Sequence, residues 1–247
     1  MVAGIDYKRN FLAQIIVRVD LATPVEYTAS AIEQVTAGVR DFLPTPDTQE
    51  IFQMQLTVGP KPTYDQRTIG KVFRFTNREA NNTLVLEPSS VILDVRKYLP
   101  YSTRRTAIES VVTALRDKAD SIAVSRTGIR YITRITMDSG DPFEWSGLIN
   151  KSLLSSLAFA HNHAEVSRAM GSFNFTKETC DILFQYGLYN SEFPNPIARK
   201  EFLLDIDCFT VEPSSFQSIS EIVDQLRDEA RSLFESCIED GLRQLMR

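Results

Sequence analysis

Three arginines, Arg126, Arg130 and Arg134, recur at every fourth position and give this chain its clearest chemical potential. A guanidinium holds a carboxylate or a phosphate through a planar fork of N–H donors. On an extended strand, successive members of this series stand about 13 Å apart, which suits an extended or polymeric ligand better than one small anion. The competing use is structural. Each arginine can pair across strands with an acidic residue such as Asp20, Asp94, Asp205 or Asp207, as the exposed side of a sheet requires.

Asp205 and Asp207 would project from one strand face roughly 6.6 Å apart. Carboxylates so placed can hold a divalent cation or divide acid and base roles. No third ligand stands at a telling spacing, however, and pairing with the arginines explains them as well. Both histidines lie in His161-Asn162-His163, without the further ligands that zinc needs, and read as a solvated helix end. There is no Gly-x-Ser-x-Gly elbow, P-loop or Gly-x-Gly-x-x-Gly turn. No catalytic residue, metal or cofactor is therefore assigned.

The elements that must carry these residues follow from periodicity. The arginine stretch Arg126–Met137 reads as a strand, because Ile129, Tyr131, Ile132, Thr133 and Ile135 are stiff or aromatic and Gly128 weakens a helix. Its even positions then share one side. Phe11–Leu21 alternates as a half-buried strand. Thr23-Pro24-Val25-Glu26 predicts the start of a first helix, with Tyr27, Ala31, Ile32, Val35, Val39 and Phe42 inward. Four strands are expected at Ile51–Val58, Lys71–Thr76, Thr83–Glu87 and Val91–Tyr98, with turns at Gly59–Pro62, Asn81-Asn82 and Pro88–Ser90. Ser102 predicts the cap of a second helix through Ile108, Val111, Val112 and Leu115.

In the second half, Asp141-Pro142-Phe143-Glu144 predicts a third helix through Leu148, Ile149, Leu153, Leu157 and Phe159. Met170–Thr176 and Asp181–Tyr189 form a hairpin, and Glu201–Val211 is a strand with Phe202, Leu204, Ile206 and Cys208 on one face. Ser218-Ile219-Ser220-Glu221 opens a long last helix with an apolar stripe of Ile222, Val223, Leu226, Ala230, Leu233, Cys237, Leu242 and Leu245. Part of that stripe resembles a coiled-coil seam, so a homodimer through the C-terminal helix is a second use beside packing on the sheet.

The two halves, residues 1–122 and 123–247, read as the same β-α-β(3-4)-α unit. Leu93-Asp94-Val95 corresponds to Leu204-Asp205-Ile206, and Leu115–Ser121 to Leu226–Ser232, both at an offset of 111. Arg18 then falls opposite Arg134. The expected fold is α+β, two similar halves joined as one compact unit with a curved antiparallel sheet and helices on one face.

Bulk properties narrow the function classes. The 247 residues carry a net charge of −5, which removes the usual footprint of a non-specific nucleic-acid binder. No apolar run approaches the roughly 20 residues of a membrane helix, and the first residues lack a secretory apolar region. Three cysteines without CxxC spacing fit reduced thiols in a cytoplasm.

The run Arg126-Thr127-Gly128-Ile129-Arg130-Tyr131-Ile132-Thr133-Arg134-Ile135, followed by Phe202–Asp207 and the long last helix, resembles a sporadically distributed prokaryotic family of proteins of this size with an R-x-G-L-R-Y-I-N-R-I strand. Ile129 and Thr133 depart from the pattern. That family has no settled activity, so the resemblance carries over no catalytic residue; its patchy distribution implies a mobile or defence-associated gene context. The expectation is a non-catalytic binding or regulatory protein with a protein partner, engaged through Arg18, Arg126, Arg130, Tyr131 and Arg134. The alternatives are a nucleic-acid binder using an arginine-bearing sheet or cleft and a metal-dependent hydrolase or nuclease.

Overall fold

A computed structural model describes residue 7 and residues 9–58, 63–160 and 162–247. The described residues form an α+β fold whose named strand pairs are antiparallel. Contacts divide it into two compact units.

One unit holds Ile16–Thr127 and Val211–Val223. Here β1 (Leu12–Leu21), from Ile16 onward, lies beside β5 (Ser90–Val95), and β2 (Thr45–Thr57), β3 (Thr63–Thr76), β4 (Asn82–Glu87) and β5 follow one another as a meander. Their inward residues, among them Val17, Val19, Phe75, Leu84, Leu86, Leu93 and Val95, are buried with Val35 and Val39 of α1 (Ala29–Val39) and Ala107, Ile108 and Val111 of α2 (Tyr101–Ala114). Burying each such large aliphatic side chain contributes roughly 1.5–3 kcal/mol before chain entropy is counted.

Two helix starts differ from expectation. The Thr23-Pro24 segment is not helical, because Val25 N–H donates to the Pro88 carbonyl (2.7 Å) and the Tyr27 hydroxyl reaches the Glu87 carbonyl (3.3 Å). The helix begins five residues later, where the Thr28 Oγ1 accepts from Ala31 N (3.2 Å). Likewise α2 starts at Tyr101 after Pro100, so Ser102 lies inside it and caps nothing. Residues 116–121 form a 3-10 helix instead of continuing α2. Pro88-Ser89 does turn β4 into β5, whereas the expected Gly59–Pro62 turn lies outside the described residues.

The other unit holds the described residues up to Ile15 with Gly128–Thr210 and Asp224–Arg247. Its strand order is β7 (Ala169–Thr176), β8 (Asp181–Leu188), β9 (Lys200–Phe209) and β6 (Ala123–Met137, from Gly128 onward). In β9, Phe202, Leu204, Ile206 and Cys208 are buried as the alternation requires. The expected third helix is largely replaced. Asp141 Oδ1 accepts from Phe143 N (2.9 Å) and Glu144 Oε1 from Ser146 N (2.8 Å), which makes local turns, and Gly147 sits at φ +74°, where a right-handed helix cannot continue. Only α3 (Lys151–Leu154) and a 3-10 turn at 155–159 follow.

The last helix is also two. Helix α4 (Ile219–Cys237) ends where Ile238 bridges Ile149, with Asn150 N–H on the Cys237 carbonyl (2.8 Å) and Glu239 N–H on that of Leu148 (2.9 Å). Helix α5 (Asp240–Met246) then buries Leu242 and Met246 and leaves Leu245 exposed. The seam positions Val223, Leu226, Ala230 and Cys237 are buried in the chain itself. A short β10 (Ser214–Ser215) pairs with Ala123-Val124. No helix among the described residues is long and apolar enough to cross a membrane.

Candidate anion-binding site

The arginines of β6 fall on its even positions and meet different fates. Arg130 is answered completely. Its Nε and Nη2 donate to the two carboxylate oxygens of Asp205 at 2.8 and 2.6 Å, a fork on a carboxylate whose side chain is only 8% exposed. In the β6–β9 register Arg130 stands opposite Asp207, so the fork reaches diagonally to Asp205 and Asp207 adds its field. The hydrogen bond to Asp205 raises the Arg130 pKa above its ordinary value, against the lowering effect of burial.

Within the unit that holds Ile16–Thr127, Asp20 lies 2.7 Å from Arg18 and 4.0 Å from Arg126, so one carboxylate serves both guanidiniums. Asp94 lies 3.3 Å from Arg96. Tyr131 is on the odd side of β6 with the buried Ile129 and Ile135, away from the arginines.

Arg134 differs. Its guanidinium stacks over the Tyr189 ring at 5.0 Å, and its Nε is buried without a hydrogen-bond partner. A second guanidinium, that of Arg168, lies 5.1 Å from the same ring and 4.1 Å from that of Phe193, while its Nε donates to the Tyr189 carbonyl (2.9 Å). Among the described residues no carboxylate forms an ion pair with either arginine. Two cations thus share one aromatic ring, and one of them keeps an orphaned donor.

The frame around them is closely tied. Asn190, at φ +59°, adopts the left-handed conformation that asparagine tolerates. Its amide nitrogen donates to the Ser167 and Asn195 carbonyls (2.8 and 2.7 Å), and its side-chain oxygen accepts from Glu192 N (3.1 Å). Ile197 N–H closes the loop onto Val166 (2.9 Å). The nearby acids are already engaged: buried Glu201 accepts from Ser191 N and Oγ (2.9 and 3.0 Å), and Glu192 pairs with Arg199 (2.8 Å). Phe193 remains 52% exposed. A rigid positive and aromatic surface results, suited to a carboxylate or phosphate.

Sequence reasoning found Arg134 but not Arg168, Tyr189, Asn190 or Phe193. The only signal was the turn-rich run Tyr189–Pro196 with two aromatic residues in it. His163 is exposed and stacks on Phe143 at 3.9 Å, while His161 lies outside the described residues. The described residues contain no group of three or more His, Cys, Asp or Glu placed to hold a metal ion. No known protein-family model matches this chain, and no curated protein matches it.

Proposed function

We propose that the protein is a non-catalytic binding or regulatory protein whose macromolecular partner presents an acidic segment to Arg134 and Arg168. The observation that carries this reading is the pair of guanidiniums on Tyr189, unanswered by any described carboxylate and including a buried Nε without an acceptor. An incoming carboxylate would accept from accessible N–H groups of the two guanidiniums and lower the repulsion between the two cations. Arg130, Arg126 and Arg18 serve the fold, since Asp205 and Asp20 already take their charge.

The test is fluorescence anisotropy with a labelled oligoglutamate peptide. The expected result is salt-sensitive binding that weakens at least about tenfold in the Arg134→Ala, Arg168→Ala double variant. No binding at low salt, or equal binding by the double variant, overturns the reading. One observation favours a second partner class: the exposed Phe193 ring beside Arg168 is a platform on which a nucleobase stacks. A labelled oligothymidylate, bound more tightly than the peptide and released by Phe193→Ala, would establish nucleic-acid binding instead. The hydrolase reading has less in its favour, because the fork of Arg130 occupies both oxygens of Asp205.

The same proposal includes two similar halves, 1–122 and 123–247, that make a curved sheet with helices on one face, and membership of the prokaryotic family with its mobile or defence-associated context. In support of the halves, β1 lies beside β5 and β6 beside β9, so each half sets its first strand next to its last long strand. Leu93-Asp94-Val95 and Leu204-Asp205-Ile206 occupy those last strands. The helical correspondence is weaker, since 116–121 is 3-10 where 227–232 is α-helical.

A further inference from the structure

Among the described residues strand β2 pairs on one side only, with β3, so its other edge has no strand partner there. Beyond Val72 the two strands leave β4 behind, because β3 meets β4 only over Phe73–Thr76. They continue as a two-stranded ribbon, with a bulge at Ile69 that sets Phe52 against Thr68. Phe52, Met54 and Tyr64 share one face of it and are 49%, 65% and 58% exposed. Gln53, Asp65 and Arg67 lie on the other face.

Free edges are ordinarily guarded by charge or proline. The first part of β2 has both, in Pro46, Asp47 and Glu50. The second part, Ile51-Phe52-Gln53-Met54-Gln55-Leu56-Thr57, has no charge, no proline and no glycine. Its order is also close to symmetric about Met54: Gln53 mirrors Gln55, Phe52 mirrors Leu56, and β-branched Ile51 mirrors β-branched Thr57.

We infer that this edge is a self-association surface, where β2 of a second copy of the chain pairs antiparallel about a two-fold axis through Met54. An isologous contact brings each residue against its own mirror position. Here that register sets Met54 against Met54, Phe52 against Leu56 and glutamine against glutamine, pairs that favour a sheet. Glu50 falls opposite Val58, so neither copy's charge meets its like. The backbone N–H and C=O groups of both free edges gain partners. The inference is independent of the arginine site, which lies in the other unit.

Disulfide trapping and sedimentation of the full chain test it. In this register the two Cα atoms of residue 54 stand about 4.5–5.5 Å apart, within disulfide reach. The three native cysteines are buried and do not compete. Met54→Cys is expected to cross-link into a dimer under mild oxidation, whereas Gln66→Cys, opposite Met54 on β3 and so one strand farther from the proposed contact, is expected to stay monomeric. Met54→Lys and Met54→Glu, at a position open enough to tolerate either, are each expected to weaken self-association at least about tenfold, and mixing the two restores it. A wild-type chain that stays monomeric at high concentration overturns the inference. So does a dimer indifferent to Met54→Lys, or one trapped equally well through residue 66.

Discussion

Arg130 and Arg134 are four residues apart on the same side of β6, yet one is forked onto a carboxylate and the other lies over an aromatic ring. What separates them is the neighbouring strand. Opposite Arg130, β9 offers Asp205 and Asp207; opposite Arg134 it offers Leu203, and the guanidinium turns to the Tyr189 ring instead. A forked ion pair to a buried carboxylate satisfies every charge it contains, whereas a cation on a ring face keeps most of its field and its donors. Residue type and spacing are thus a poor guide to which arginine is paired within the fold, and the local supply of carboxylates is a good one.

The most damaging test of this contrast acts on the backbone beneath it. Gly187 of β8 sits at φ +137°, and a Cβ there would lie 2.1 Å from the Ala169 carbonyl oxygen. Gly187→Ala is expected to cost about 3 kcal/mol, because neither the conformation nor the space admits a side chain. The urea midpoint falls, and since Tyr189 stands two residues on, oligoglutamate binding falls with it. If binding survives in the folded fraction, the frame is not what holds Tyr189 in place.

Next in size is Arg130→Ala. The Arg130 side chain is 41% exposed, so its Coulombic gain is screened, and the main cost is leaving the buried Asp205 unpaired. The expectation is about 2 kcal/mol of lost stability with oligoglutamate affinity unchanged. A double-mutant cycle with Asp205→Ala should return most of that loss as coupling energy. Arg134→Ala reverses the pattern: stability changes by less than about 1 kcal/mol, while the affinity falls and its salt dependence becomes shallower. Equal stability losses at Arg130 and Arg134 would erase the distinction between them.

Much of the frame was legible in the sequence, because strands such as β1 and β4 alternate between the core and the surface. Phe202, Leu204, Ile206 and Cys208 were placed inward by period alone, and all four are buried. The Arg130–Asp205 contact was within reach for the same reason, since the even positions of β6 share a side of the sheet with the odd positions of β9. The helix starts failed where tertiary hydrogen bonds outcompete local caps: Thr23 has the better capping sequence, but Val25 and Tyr27 are held by the Glu87-Pro88 turn. The third helix failed at Gly147, which no apolar spacing reveals. Arg168, Tyr189 and Phe193 escaped because their meeting depends on a loop folded about Asn190, and loop conformation has no period to read.

A pH-dependent effect separates the two faces of β9. Cys208 lies next to Asp207 in sequence but on the core side, where burial pushes its thiol up to about 12 from an ordinary 9.0; burial does the same to Cys237. Both thiols are neutral in the fold, and above pH 9 only the unfolded chain ionises them. The folded pKa exceeds the unfolded one, so their contribution is complete below pH 9 and is lost as the pH climbs toward 12. Each thiol should cost about 1.4 kcal/mol per pH unit once the solution is well above its ordinary value. The Arg130 ion pair contributes nothing to this slope, since the raised pKa of Arg130 keeps it charged throughout. Urea titrations between pH 8 and 11 should therefore give a lower but flatter curve for Cys208→Ala, and for Arg130→Ala a lower curve of unchanged slope. A flattened Arg130→Ala curve would show the alkaline loss to originate on the arginine face, and the two faces of the strand would then have to be treated as one coupled system.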